Sequence, residues 1–122
     1  MSKLQERVND LIGYIQQGKI IQAMQEFYDD DISMQENNNP PVVGKTANIE
    51  REKQFVAYVK AWKSFNIRAV GIDEVRGIAL IQSDFEFEAV DGKTIKYDQV
   101  SVQQWRDGRI VHEKFYYDSA KK

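Results

Sequence analysis

Leu4, Val8, Leu11, Ile12 and Ile15 recur at steps of three and four residues, which stripes one face of a first helix. Gly18 is placed to stop it. Ile20, Ile21, Met24, Phe27 and Tyr28 mark a second, shorter helix. Ile32 and Met34 alternate with Ser33 and Gln35, the pattern of a short strand, and Asn37-Asn38-Asn39-Pro40-Pro41 reads as a surface loop. Beyond Gly44, the residues Ile49, Phe55, Val56, Val59 and Trp62 define a third helix, with Thr46 or Asn48 available as its cap.

From about residue 66 the period becomes two, and the second half reads as four strands: 66–75, Ile78 to about Val90, Thr94 to Trp105, and Arg109 to Tyr117. Arg76-Gly77, Asp91-Gly92 and Asp107-Gly108 mark the connections, because tight hairpins need the positive φ that glycine accepts freely. Three helices followed by an antiparallel meander predict an α+β domain with the helices on one sheet face. Strands this long imply a twisted, curved sheet whose hollow the helices close.

A length of 122 residues suits one domain spanning 1–122. With no Cys, thiol nucleophiles, disulfides and thiolate metal sites are excluded, and a single His excludes a multi-histidine metal centre. Seventeen Lys plus Arg against 19 Asp plus Glu give a net charge of −2, which offers no attraction to nucleic acid or an anionic membrane. The first ten residues lack the pattern of a secretory signal and no apolar run is long enough to span a bilayer, so the expected location is cytoplasmic.

Strand alternation gives each strand two faces. On the Thr94–Trp105 strand one face carries Tyr97, Gln99, Ser101, Gln103 and Trp105, the other Asp98, Val100, Val102 and Gln104. Amides and a hydroxyl flanked by rings suit the lining of a polar pocket, and the same list also suits a ribbon with one solvated face. Val100 and Val102 then suit a sheet-to-sheet homodimer. On the last strand Val111, Glu113, Phe115 and Tyr117 share a face. If that face is inward, Glu113 is a partly buried acid of the kind that transfers protons; if outward, it is a surface charge beside Lys114.

Three stretches carry a resemblance: Phe27-Tyr28-Asp29-Asp30-Asp31-Ile32, Pro41-Val42-Val43-Gly44-Lys45, and Trp105-Arg106-Asp107-Gly108-Arg109-Ile110-Val111 through Tyr117-Asp118. In them the chain resembles the SnoaL-like branch of the nuclear-transport-factor-two-like superfamily, which includes polyketide cyclases and ketosteroid isomerase. The resemblance implies a cystatin-like roll: a cone-shaped, curved antiparallel sheet closed by three N-terminal helices. It also implies Asp118 as the acid/base of the cyclases and Glu36 near the position of the isomerase base. The isomerase oxyanion pair, a tyrosine and a protonated aspartate, is matched here by Leu11 and Ser101, so steroid isomerase activity is not expected.

Together these readings nominate Asp118, Glu113 and Glu36 as acid–base candidates, and Ser101, Gln103, Trp105, Tyr117 and Trp62 as ligand contacts. Ser101 and Gln103 are expected to orient a developing oxyanion. The expected partner is a small hydrophobic, carbonyl-bearing molecule with no cofactor; the alternatives are ligand binding without turnover and a dimeric association module. Asp29-Asp30-Asp31 suits a solvated helix end better than a Mg²⁺ site, His112 has no nucleophile-elbow serine to serve, and no glycine-rich phosphate loop is present.

Overall fold

A computed structural model describes residues 3–118. Helices α1 (Lys3–Gln16), α2 (Ile20–Phe27) and α3 (Lys45–Tyr58) accompany strands β1 (Tyr28–Glu36), β2 (Val42–Val43), β3 (Val59–Asp73), β4 (Ile78–Ala89), β5 (Thr94–Arg106) and β6 (Arg109–Tyr117). The strands form one curved, unclosed sheet in the order β2-β1-β6-β5-β4-β3. Neighbours are antiparallel except β1 and β6, which run parallel. This is the α+β cone the sequence predicts.

Local chemistry sets the boundaries. Gly18, at φ 76°, lets its N–H reach the Ile15 carbonyl at 3.0 Å and that of Lys19 reach Tyr14 at 2.9 Å, closing α1. Asp107 and Gly108 both take positive φ, which makes the two-residue turn that fits the twist of β5 and β6. At α3 the N-cap is Gly44, not Thr46 or Asn48. Asn48 is instead buried inside the first turn, where its Nδ2 donates to the carbonyls of Val42 at 3.0 Å and Gly44 at 2.9 Å and ties β2 to the helix.

Two elements differ from the sequence prediction. Val59 and Trp62 belong to β3, because α3 ends at Tyr58. Bulges between Val59 and Ala61 and between Trp62 and Ser64 put residues three apart on one strand face, opposite Ala89, Phe87 and Phe85 of β4, and so imitate a helical period. Asp29, Asp30 and Asp31 open β1 and do not end a helix; Asp30 pairs with Lys45 at 3.5 Å. No cluster of metal-ligating side chains occurs among the described residues, and no helix among them is long and apolar enough to cross a membrane.

The core joins Val8 and Leu11 of α1, Ala23, Met24 and Phe27 of α2, and Ile32, Ala79, Ile81, Trp105 and Ile110 of the sheet. It fills the end of the sheet that α1 and α2 cover. Val100 and Val102 face away from the helices, half-buried and paired across from Gln82 and Leu80, and His112 lies on that face opposite Gln104.

Candidate functional site

The mixed face of β5 is turned toward the helices: Ser101, Gln103 and Trp105 are buried, and Tyr97 and Gln99 partly so. Register then brings Gln103 opposite Glu113 of β6 and Met34 of β1 beside it, so Glu113 faces inward with 3% of its surface exposed. A carboxyl in that position needs partners, since an unpaired buried charge is very costly. It has three. The Ser101 hydroxyl donates to Oε2 at 2.6 Å, the Gln103 amide donates to the same oxygen at 2.9 Å, and the Tyr28 hydroxyl donates to Oε1. The Trp105 indole N–H donates in turn to Gln103 Oε1 at 3.0 Å. Burial, then the charge of Glu113, pushes the Tyr28 phenol well above its ordinary range, so it keeps its proton.

A second acid faces this network from α3. Glu52 stands one turn beyond the buried Asn48, on the same side of the helix, and is half-buried. Burial and then the Glu113 carboxylate push its carboxyl up to about 7, with Glu36 adding to the effect and Arg51 opposing it. Neither hydrogen bond nor ion pair holds Glu52 among the described residues.

At the last residue of β1, Glu36 accepts from Arg51 at 2.7 Å and from the Tyr117 hydroxyl at 2.7 Å, while Arg51 also donates to Asn48 Oδ1 at 3.1 Å. Burial and this bond to Glu36 raise the Tyr117 phenol. From here a wall of rings runs across the sheet: Tyr117 against Tyr97 at 5.3 Å between centroids, Tyr97 against Phe85 at 5.1 Å, Phe85 stacked on Phe65 at 5.7 Å, and Trp62 against Phe87 at 5.5 Å. Trp62 keeps 50% of its surface exposed and Phe65 37%, so the wall is open to a ligand at this edge. The Tyr97 hydroxyl makes no hydrogen bond among the described residues, and burial followed by the charge of Glu36 raises its pKa.

The structure joins Ser101 and Gln103 to Glu113 in one network and Tyr117 to Glu36 in another, while Trp62 stands on β3 at the far edge of the ring wall, and the roles are not all those the sequence suggests. The Ser101 hydroxyl and one Gln103 N–H are spent on Glu113, and both side chains are buried. Trp105 is 5% exposed and packs on Phe27 within the core, away from the ring wall. Asp118 lies just past β6 and is exposed. The sequence reading missed Glu52, Tyr28 and Tyr97. Glu52 had a signal, since it falls three residues before Phe55 and three after Ile49 on the stripe that faces the sheet. Surface clefts lie elsewhere among the described residues. One of about 770 Å³ runs between α1 and the β5–β6 turn, lined by Arg7, Asp10 and Arg106. Another, of about 410 Å³, runs along α1 and α2.

The sequence matches no family model and no curated protein. Solved structures do match. A candidate SnoaL-like polyketide cyclase from Mesorhizobium loti is 19% identical, with 95% of this chain and 100% of that one covered and a TM-score of 0.81. A candidate isomerase from Bacillus subtilis is 18% identical, with coverage of 97% and 88% and a TM-score of 0.78. TerC, co-crystallised with polyporic acid, is 12% identical, with coverage of 98% and 95% and a TM-score of 0.79. At these identities the likeness is one of fold. The chain has the nuclear-transport-factor-two-like cone, in the form shared by SnoaL-like proteins.

Proposed function

We propose that the concave face takes a small hydrophobic, carbonyl-bearing molecule and moves a proton on it, as a cofactor-independent cyclase or isomerase. The observation that carries this reading is Glu52, a half-buried carboxyl on α3 pushed up to about 7 by burial and by the charges of Glu113 and Glu36. At neutral pH such a group is present in both protonation states, as a general acid–base requires. Trp62, Phe65 and Phe85 supply an apolar floor. Glu52 as carboxylate removes a proton from the carbon beside the carbonyl. The electron pair moves to the carbonyl oxygen, which accepts a hydrogen bond from Tyr97, and Glu52 returns the proton to a different atom or after ring closure. Glu36, clamped by Arg51 and Tyr117, edges the site; Asp118 has no part in this reading.

A second reading, binding without turnover, is favoured by one observation: Ser101 and Gln103 are committed to Glu113. The two are separated by a panel of aryl ketones and 1,3-diketones, screened for a rise in melting temperature and for exchange of the α-proton in D₂O by NMR. Wild-type protein is expected to accelerate exchange for at least one ligand that binds, and Glu52→Gln to cut that rate about 100-fold or more while binding persists. A ketone that raises the melting temperature yet exchanges no faster than in buffer leaves only the binding function.

A further inference from the structure

Ser83, in the middle of β4, is 4% exposed, and its hydroxyl makes no hydrogen bond among the described residues. It sits opposite Ile67 of β3 and between Ile81 and Phe85 on its own strand face. A hydroxyl left unpartnered among such side chains costs stability that a methyl group would not. Among the described residues, no side-chain polar atom sealed from solvent lacks a partner, so the small exposed part of Ser83 includes its oxygen. Register puts Ser83 on the concave face with Ser101 and Phe85, and there the hydroxyl is aimed into the hollow. Gln99 of β5 lies directly opposite, half-buried, and its amide is likewise without a hydrogen bond among the described residues. Cβ atoms of such a cross-strand pair stand about 5 Å apart, so hydroxyl and amide can meet one ligand group. On the other side of Gln99, Tyr117 has spent its hydroxyl on Glu36. One row along the strands, about 7 Å away, Phe85 faces Tyr97 in the ring wall.

We propose that Ser83 and Gln99 form the polar seat of the concave face and bind an uncharged oxygen of the ligand while its ring lies on Phe85. This rests on the reading of that face as a small-molecule site. It narrows the ligand to one that carries a second neutral oxygen, a ketone or a hydroxyl, beside the carbonyl that Tyr97 takes. The serine hydroxyl and the glutamine amide each donate and accept, so either group is served. A carboxylate is not. Acids border the seat on two sides, Glu36 through Tyr117 and Glu113 through Ser101, and the Arg51 guanidinium is already bound to Glu36 at 2.7 Å.

The test is NMR titration of the full chain with propiophenone, neutral benzoylacetone and benzoylacetate, for wild type, Ser83→Ala and Gln99→Leu. Propiophenone has one oxygen, benzoylacetone two, and benzoylacetate replaces the second ketone by a carboxylate. Wild type is expected to bind benzoylacetone at least about tenfold tighter than either of the others. Each substitution is expected to remove most of that preference and to leave propiophenone binding nearly unchanged. Ser83→Ala is also expected to keep or raise the melting temperature, because it breaks no hydrogen bond within the protein. A preference for benzoylacetone that survives either substitution overturns the inference. So does a fall of about 5 °C in the melting temperature of Ser83→Ala, which marks a hydroxyl committed to the fold. If none of the three probes binds wild type, the reading of the concave face as a site for such molecules falls, a different failure.

Discussion

Glu113→Leu is expected to cost about 3 kcal/mol or more of folding stability, read as a lower urea midpoint at unchanged slope. The leucine fills the same space and adds apolar contact, so transfer free energy alone favours it. What it removes is the acceptor for Tyr28, Ser101 and Gln103, all buried. Each stranded donor costs roughly 1–3 kcal/mol, and the three cannot all find substitutes in a core built from Ile32, Met34 and Phe115. Glu113→Gln keeps a carbonyl oxygen to accept from some of them, and its loss is expected to be about half as large. If leucine leaves stability within about 0.5 kcal/mol of wild type, the three donors find water instead and the account of a dry, buried network fails.

Phe87→Ala is expected to cost about 3–5 kcal/mol, the range for removing a large side chain from a packed interior. Phe87 has no exposed surface and touches Phe55 at 5.4 Å, Tyr58 at 6.2 Å and Trp62 at 5.5 Å between ring centroids. It packs α3 against the start of β3 and the end of β4, so its loss leaves a cavity that backbone shifts close only in part. Phe65→Ala removes a ring that is already 37% exposed, and a loss near 1 kcal/mol is expected. The same urea titration compares the two. Equal losses would show that the wall is fluid and not a built surface.

Much of the cone was legible in the sequence because its signals are local. Asp107-Gly108 specifies a hairpin within four residues, and the two faces of β5 follow from alternation with no knowledge of what packs on them. The start of β3 was not legible, since its bulges place Val59 and Trp62 at a helical step. The site was legible in composition but not in roles. Ser101, Gln103 and Glu113 could be assigned to inward lists, but their mutual hydrogen bonds depend on the β5–β6 register. Tyr28 reaches Glu113 only because β1 returns parallel to β6, bringing together residues 85 apart in sequence. Glu52 belongs to a helix face whose depth is set by the sheet beneath it.

Glu52 also ties the site to stability. Its folded pKa lies above the ordinary value, so between about 4.5 and about 7 the folded chain holds a proton that the unfolded chain has released. Its favourable contribution is therefore complete below about 4.5 and is lost as pH rises through about 7. The most direct measurement of the central claim is the titration of the Glu52 carboxyl in wild-type protein beside Glu113→Gln. The account predicts a midpoint near 7 that drops once the neighbouring charge is gone. A wild-type midpoint at the ordinary 4.5, or one near 7 that the neutral variant leaves unchanged, contradicts it.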